Sequence, residues 1–104
     1  MRSKFRSYDE SLKKALKNRN EALEYLKAAM TDEDPRVFLV AINDVIAALK
    51  ISKTELARRT GLSREYLYRG LSIAGNPRWD TMWKVLNAIG FRLDVGPKSL
   101  NKAS

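Results

Sequence analysis

The sequence predicts an all-α fold of five to six helices closed by one short C-terminal β-strand. Three observations lead there. Apolar residues recur at i, i+3, i+4, i+7 in successive segments. Cap and stop signals bound those segments. A period-2 alternation occurs at Phe91-Arg92-Leu93-Asp94-Val95.

Taken in order, Tyr8 to Leu16 carries Leu12, Ala15 and Leu16 at helical spacing and makes a short first helix. Asn18 offers an N-cap acceptor to a second helix, Arg19 to Met30, in which Ala22, Leu23, Leu26, Ala29 and Met30 share one face with Tyr25 at its margin. Asp34-Pro35 starts a third, a cap acceptor followed by a proline whose missing N–H costs nothing at N1. Val37, Phe38, Ala41, Ile42, Val45, Ile46 and Leu49 give that helix a wide apolar stripe, which marks it as the centre of the core.

Ser52 to Glu55 reads as a capping box: Ser52 accepts from the Glu55 N–H while the Glu55 carboxylate returns to the Ser52 N–H. The short helix that follows turns Leu56 and Ala57 inward and stops at Thr60-Gly61, where glycine admits a positive φ. Ser63 then caps a helix over Arg64 to Arg69, so only Gly61, Leu62 and Ser63 separate the two. Ser72 to Pro77 reads as a loop. Trp79, Met82, Trp83, Leu86 and Ile89 place a last amphipathic helix ending at Gly90. The spacing of Trp79 and Trp83 with Leu86 favours core packing over a base-stacking role.

Phe91, Leu93 and Val95 form the lone strand, whose edges need a copy of itself across a dimer axis or a strand of another protein, or else fray. The chain divides into an N-terminal helical segment (1–34), a helix-turn-helix domain with its C-terminal strand (35–96) and a disordered tail (97–104). At 104 residues these form one compact unit.

Composition narrows the function. The chain has no Cys and no His, so thiol chemistry, His-based catalysis and zinc-finger, haem or iron–sulfur sites are excluded and no metal or cofactor is expected. The scattered carboxylates do not suggest a paired acid/base site, and an enzyme is not expected. No apolar run approaches the roughly 18 residues of a membrane span, and the basic start Met1-Arg-Ser-Lys-Phe-Arg leads into Tyr8-Asp-Glu rather than an apolar stretch. A cytoplasmic protein is the expectation, without a membrane partner.

The formal net charge is +8, and its distribution carries more than its size. Residues 1–20 hold seven Lys/Arg and two Asp/Glu, residues 21–49 two and six, and residues 50–104 eleven and four. A basic C-terminal half beside an acidic helix pair points to a polyanion met by one part of the molecule.

Two short helices around a tight glycine turn describe a helix-turn-helix, although a helical hairpin within an α-bundle would share the outline. Small Ala57 lies where the second helix crosses, and Leu56, Leu62, Leu67 and Leu71 fix the crossing. With Leu67 at zero on the helical wheel, Leu71 falls at about 40°, Glu65 at about 160° and Arg69 at about 200°. Glu65 and Arg69 point outward, and Arg64 and Tyr68 flank them. In a major groove, Arg64 and Arg69 can take guanine O6 and N7, Glu65 can accept from cytosine N4, and Tyr68 can meet a thymine methyl. An i, i+4 ion pair between Glu65 and Arg69 is the alternative use of those charges. Phosphate contacts fall on the rim, at Lys53, Ser63, Tyr66 and Arg78.

The stretch Ile51-Ser-Lys-Thr-Glu-Leu-Ala-Arg-Arg-Thr-Gly-Leu-Ser-Arg-Glu-Tyr-Leu-Tyr-Arg-Gly-Leu-Ser resembles the Xre/Cro-type helix-turn-helix. Together with Gly75-Asn-Pro77, Thr81, Lys84-Val-Leu-Asn-Ala-Ile-Gly90 and Phe91-Arg-Leu93 it is similar to the addiction-module antidote proteins, the HigA-like antitoxins. Leu16-Lys-Asn, Tyr25-Leu-Lys-Ala-Ala29 and Asp34-Pro35 resemble that family's N-terminal half, so the likeness spans roughly residues 8 to 95. The resemblance implies a lambda-repressor-like domain in a small homodimeric repressor that binds its own operator as double-stranded DNA. It also implies a cognate toxin partner of the RelE/ParE superfamily. Groove reading then falls on Arg64, Glu65 and Arg69, and backbone contact on Lys53, Ser63 and Arg78. Many Xre-type domains have Gln where Lys53 stands and Ser or Thr where Arg78 stands, so charges replace polar contacts at both places. Glu21, Glu24, Glu33 and Asp44 would face a basic toxin, or are solvated surface. A free-standing Xre-family regulator without a toxin is the alternative, and a scaffold that no longer binds DNA is a third reading.

Overall fold

The computed structural model describes residues 10–72, 74 and 78–97. Six helices follow in the order α1 (Glu10–Ala15), α2 (Arg19–Met30), α3 (Pro35–Ala48), α4 (Lys53–Thr60), α5 (Arg64–Gly70) and α6 (Trp79–Ala88). The expectations for Tyr8, for most of the 72–77 loop and for the tail from Lys98 lie outside the described residues.

The caps that define the elements form as their residue types require. Asn18, Asp34, Ser52 and Ser63 each sit in extended backbone and accept from the N–H of Glu21, Arg36, Glu55 and Tyr66 respectively. The returning half of the capping box does not form, because the Glu55 carboxylate is taken by the guanidinium groups of Arg58 and Arg59. Charged donors one turn along the same helix outcompete a neutral backbone N–H.

α1 and α2 pack on α3, and α5 and α6 pack on α4. The two trios share one apolar core, in which Leu16, Ile42, Val45, Leu56, Leu67 and Val85 are fully buried. α3 is buried on more than the predicted stripe. Leu39 and Ala48 join Ala41, Ile42, Val45 and Ile46 in the common core, while Leu49 at its C-cap is exposed. In α2 the packed face is Ala22, Leu26 and Ala29, and Leu23 and Met30 at its margin stay exposed. Two polar ties among the described residues cross between the trios: the Asn43 side-chain amide donates to Leu39 O within α3 and to Leu71 O at the end of α5, at 3.0 and 2.9 Å, and the Arg19 guanidinium of α2 donates to Gly90 O after α6 at 3.0 Å.

α6 corrects the sequence reading. Trp79 and Trp83 are 65% and 47% exposed, their rings 6.0 Å apart, rather than in the core. Leu86 and Ile89 of the predicted face are buried and Met82 is half-buried, while Thr81 and Val85 take the inward places expected of the tryptophans. The buried face is rotated by about 60° from the predicted one. Thr81 turns inward because its hydroxyl has a partner there, the Tyr66 hydroxyl at 2.9 Å.

α3 and α6 both end in Schellman motifs. After α6, the Gly90 N–H reaches Asn87 O and the Phe91 N–H reaches Leu86 O, with Gly90 at φ +99°. After α3, the Lys50 N–H reaches Ala47 O and the Ile51 N–H reaches Ile46 O, with Lys50 at φ 58° in the position that favours glycine.

The predicted strand is absent: among the described residues none is in a β-ladder. Phe91 and Leu93 are half-buried against the domain's own core, while Arg92, Asp94 and Val95 are exposed. The alternation is therefore real but has no partner strand among the described residues, and an isolated strand cannot satisfy its backbone.

Lys50→Gly is expected to stabilise the fold by about 0.5–1 kcal/mol, the relief of a left-handed side chain less the extra freedom of glycine in the unfolded chain. Thermal melting should rise by roughly 3–6 °C for a domain of this size. An unchanged or lower midpoint would contradict the strain assigned to Lys50.

Candidate nucleic-acid interface

The helix pair α4 and α5 is joined by Gly61, Leu62 and Ser63. Gly61 sits at φ +78° and its N–H closes on Ala57 O at 2.8 Å, an αL stop that a Cβ would strain. Thr60 reinforces the corner, donating to Leu56 O at 2.8 Å and accepting from the Leu62 N–H at 3.2 Å. Ser63 then starts α5 at once. Leu56 and Leu67, both fully buried, hold the two helices against each other. The Tyr66–Thr81 hydroxyl pair fastens α5 to α6, and Asn43 fastens the end of α5 to α3.

With Leu67 facing the core, Arg64, Glu65, Tyr68 and Arg69 are all exposed. Glu65 and Arg69 do not pair with each other, so the i, i+4 ion pair is not how those charges are used. Lys53, at the first position of α4, sets its ammonium 5.1 Å from the Tyr68 ring centroid, which brings the two helices' polar ends together. Ser63 keeps its hydroxyl at the exposed start of α5, where it accepts from the Tyr66 N–H and retains an O–H to donate. Tyr66 is half-buried with its hydroxyl on Thr81. Arg78 caps α6 without a side-chain cap bond and donates to Asp80 at 3.2 Å, which holds the Asp80 carboxyl below its usual range.

Sequence reasoning missed several roles. Arg58 and Arg59 are tied to Glu55, and Arg59 also donates to Ala88 O at the end of α6, at 2.9 Å. The i, i+3 and i, i+4 spacing from Glu55 was the available signal. Asn43, an amide inside an apolar stripe, signalled a buried partner. Asp44, expected on an open acidic face, is half-buried and accepts from the Tyr25 hydroxyl at 2.6 Å. Glu24 lies 3.8 Å from Lys27, whereas Glu21 and Glu33 are exposed. No group of three or more potential metal-ligating side chains occurs among the described residues.

Residues 5–97 match the family described as "Probable addiction module antidote protein". The chain belongs to that family. An antidote family implies a cognate toxin as partner. An uncharacterized protein of Haemophilus influenzae (strain ATCC 51907 / DSM 11121 / KW20 / Rd) is 35% identical over 71 residues, covering 68% of this chain and 71% of the relative. No solved structure matches at a significant level. For this antidote-family chain, no helix among the described residues is long and apolar enough to cross a membrane.

The guanidinium groups of Arg58 and Arg59 hold the Glu55 carboxyl down at about 2. A carboxyl whose folded-state value is depressed stabilises the fold above its ordinary value of 4.5, and that contribution is lost as pH falls towards 2. Glu55→Gln is therefore expected to melt below wild type at pH 6, with the two midpoints converging by pH 2. A gap that persists unchanged in acid would remove the ion pairs as its cause.

Proposed function

We propose that the chain is the antitoxin of a type II toxin–antitoxin module. It acts as a cytoplasmic, cofactor-free homodimer that binds its operator through α4 and α5, represses its own operon and neutralises a RelE/ParE-superfamily toxin. The observation that carries the DNA reading is the outward row on α5. Arg64, Glu65, Tyr68 and Arg69 stand exposed along a helix whose other side is locked by Leu67, and Lys53 and Ser63 border it. That row supports reading the pair as an Xre-type, lambda-repressor-like helix-turn-helix, in which the second helix enters the major groove.

In that reading Arg69 and Arg64 bind guanine edges, Glu65 accepts from cytosine N4 and Tyr68 covers a thymine methyl. Lys53, Ser63 and Arg78 contact phosphate, Arg78 after exchanging its contact with Asp80. Tyr66 can join them with its O–H when Thr81 is the donor of their shared bond. The family supports the antidote role, and the exposed Glu21 and Glu33 beside α2 offer an acidic surface to a basic toxin. Phe91, Leu93 and Val95 provide the dimer contact.

Arg69→Ala is expected to relax preference at one base pair by about 1–3 kcal/mol, read by fluorescence anisotropy across a set of single-base operator variants. An unchanged preference removes Arg69 from the groove. Lys53→Ala and Arg78→Ala should instead weaken all sequences alike and lower the slope of log affinity against log salt by about 0.9 each. Purification from native cells at low salt tests the toxin: a small basic protein in roughly equal stoichiometry supports the antitoxin, and DNA alone supports a free-standing Xre-family regulator.

A further inference from the structure

The segment after α6 is held at its start and open along its length. Arg19 of α2 donates to Gly90 O at 3.0 Å and lies 5.8 Å from the Phe91 ring centroid, and the Phe91 N–H closes on Leu86 O. Beyond that point, among the described residues, no backbone–backbone hydrogen bond involves Arg92, Leu93 or Asp94. Phe91 and Leu93 face the core, Arg92 and Asp94 face out, and Val95 is 91% exposed. Arg92 and Asp94 lie on the same side of the segment, 3.7 Å apart and open to solvent. The Val95 N–H is met only by the adjacent Asp94 carboxylate, at 2.8 Å. An alternating segment whose backbone makes no ladder bond, with an uncovered β-branched residue, is a strand lacking its neighbour.

Charge identifies the neighbour as a second copy of this chain. We infer that residues 91–95 pair antiparallel with the same residues of a second copy about a two-fold axis at Leu93. Arg92 of each copy then faces Asp94 of the other. This deepens the homodimer reading proposed above and rests on it.

Among the alternatives, an antiparallel register centred on Arg92 sets arginine against arginine, and one centred on Asp94 sets carboxylate against carboxylate. A slip of one residue puts a charged side chain opposite an apolar one. Parallel, in-register pairing also sets like charges opposite. Only the Leu93-centred register matches both faces. On the inner face it sets Leu93 against its copy and Val95 of each copy against Phe91 of the other. Val95 itself lines a 680 Å³ groove with Leu23, Met30, Phe38 and Phe91, so this pairing covers the valine where it borders that groove.

The test is sedimentation equilibrium of the full chain at low salt, with circular dichroism to confirm that each variant is folded. Wild type is expected to dimerise at tens of micromolar. Arg92→Asp and Asp94→Arg each turn two attractive cross-strand pairs repulsive and should weaken dimerisation by about tenfold or more. An equimolar mixture of the two variants, and the double variant R92D/D94R, should both recover wild-type association, because each restores opposite charges at every facing pair. If wild type dimerises and the single variants associate equally well, or if the mixture fails to recover, the register is overturned while the homodimer stands. A wild-type chain that stays monomeric at a hundred micromolar, alone and on operator DNA, overturns the homodimer and the register together.

Discussion

The two halves of the molecule meet across the apolar wall of α3, and the part-buried amide of Asn43 orients that meeting from within, as the exposed Arg19–Gly90 bond does at the surface. Burial of Ile42, Val45 and Ile46 drives the association but is indifferent to small rotations, since apolar contact has no preferred direction. Asn43 supplies the direction. One of its N–H groups is held by its own helix and the other by Leu71 O, the last carbonyl region of α5. The end of α5 is thus tied to the interior of the opposite trio, while its middle is tied to α6 through Tyr66 and Thr81. A helix of seven residues could not hold its outward face steady from its own hydrogen bonds. The polar contacts made by its neighbours hold that face in place.

The charge available to a partner differs from the charge counted in the chain. Of the basic residues in the second half, Arg58 and Arg59 are matched by Glu55, Arg78 by Asp80 and Arg92 by Asp94. Among the described residues, the cations without such a match are Arg64 and Arg69 on α5, Lys53 at the start of α4, Lys50 before it and Lys84 on α6. The field that a polyanion meets is therefore narrower than the +8 suggests, and it is centred on Arg64, Arg69 and Lys53. In the acidic middle of the chain, Asp34 pairs with Arg36 and caps α3, and Asp44 receives the Tyr25 hydroxyl.

Local signals were legible and long-range ones were not. The four side-chain caps and the Gly61 stop are decided within a few residues, and each stands where the sequence put it. The exposed row on α5 followed from one buried leucine and the helical period. The face of α6 failed because two tryptophans outweigh a threonine on any hydropathy reading, whereas the actual choice depended on a hydroxyl fifteen residues away. The strand failed for a different reason, since alternation marks which side chains face the core but supplies no neighbour, and among the described residues none pairs with it. The capping box failed halfway because two arginines compete for its carboxylate, and spacing alone does not rank competitors.

Both tryptophans of the chain stand on the open side of α6. In the native state Trp79 is mostly in water and Trp83 about half so, and neither joins the core, so their emission reports chiefly on that surface. Unfolding followed by tryptophan fluorescence would register little of the core's collapse, which the half-buried Tyr25 and Tyr66 and the backbone signal report better. Anything that settles over α6 would change the emission directly, without a label. The molecule is, optically, a sensor of its own outer face.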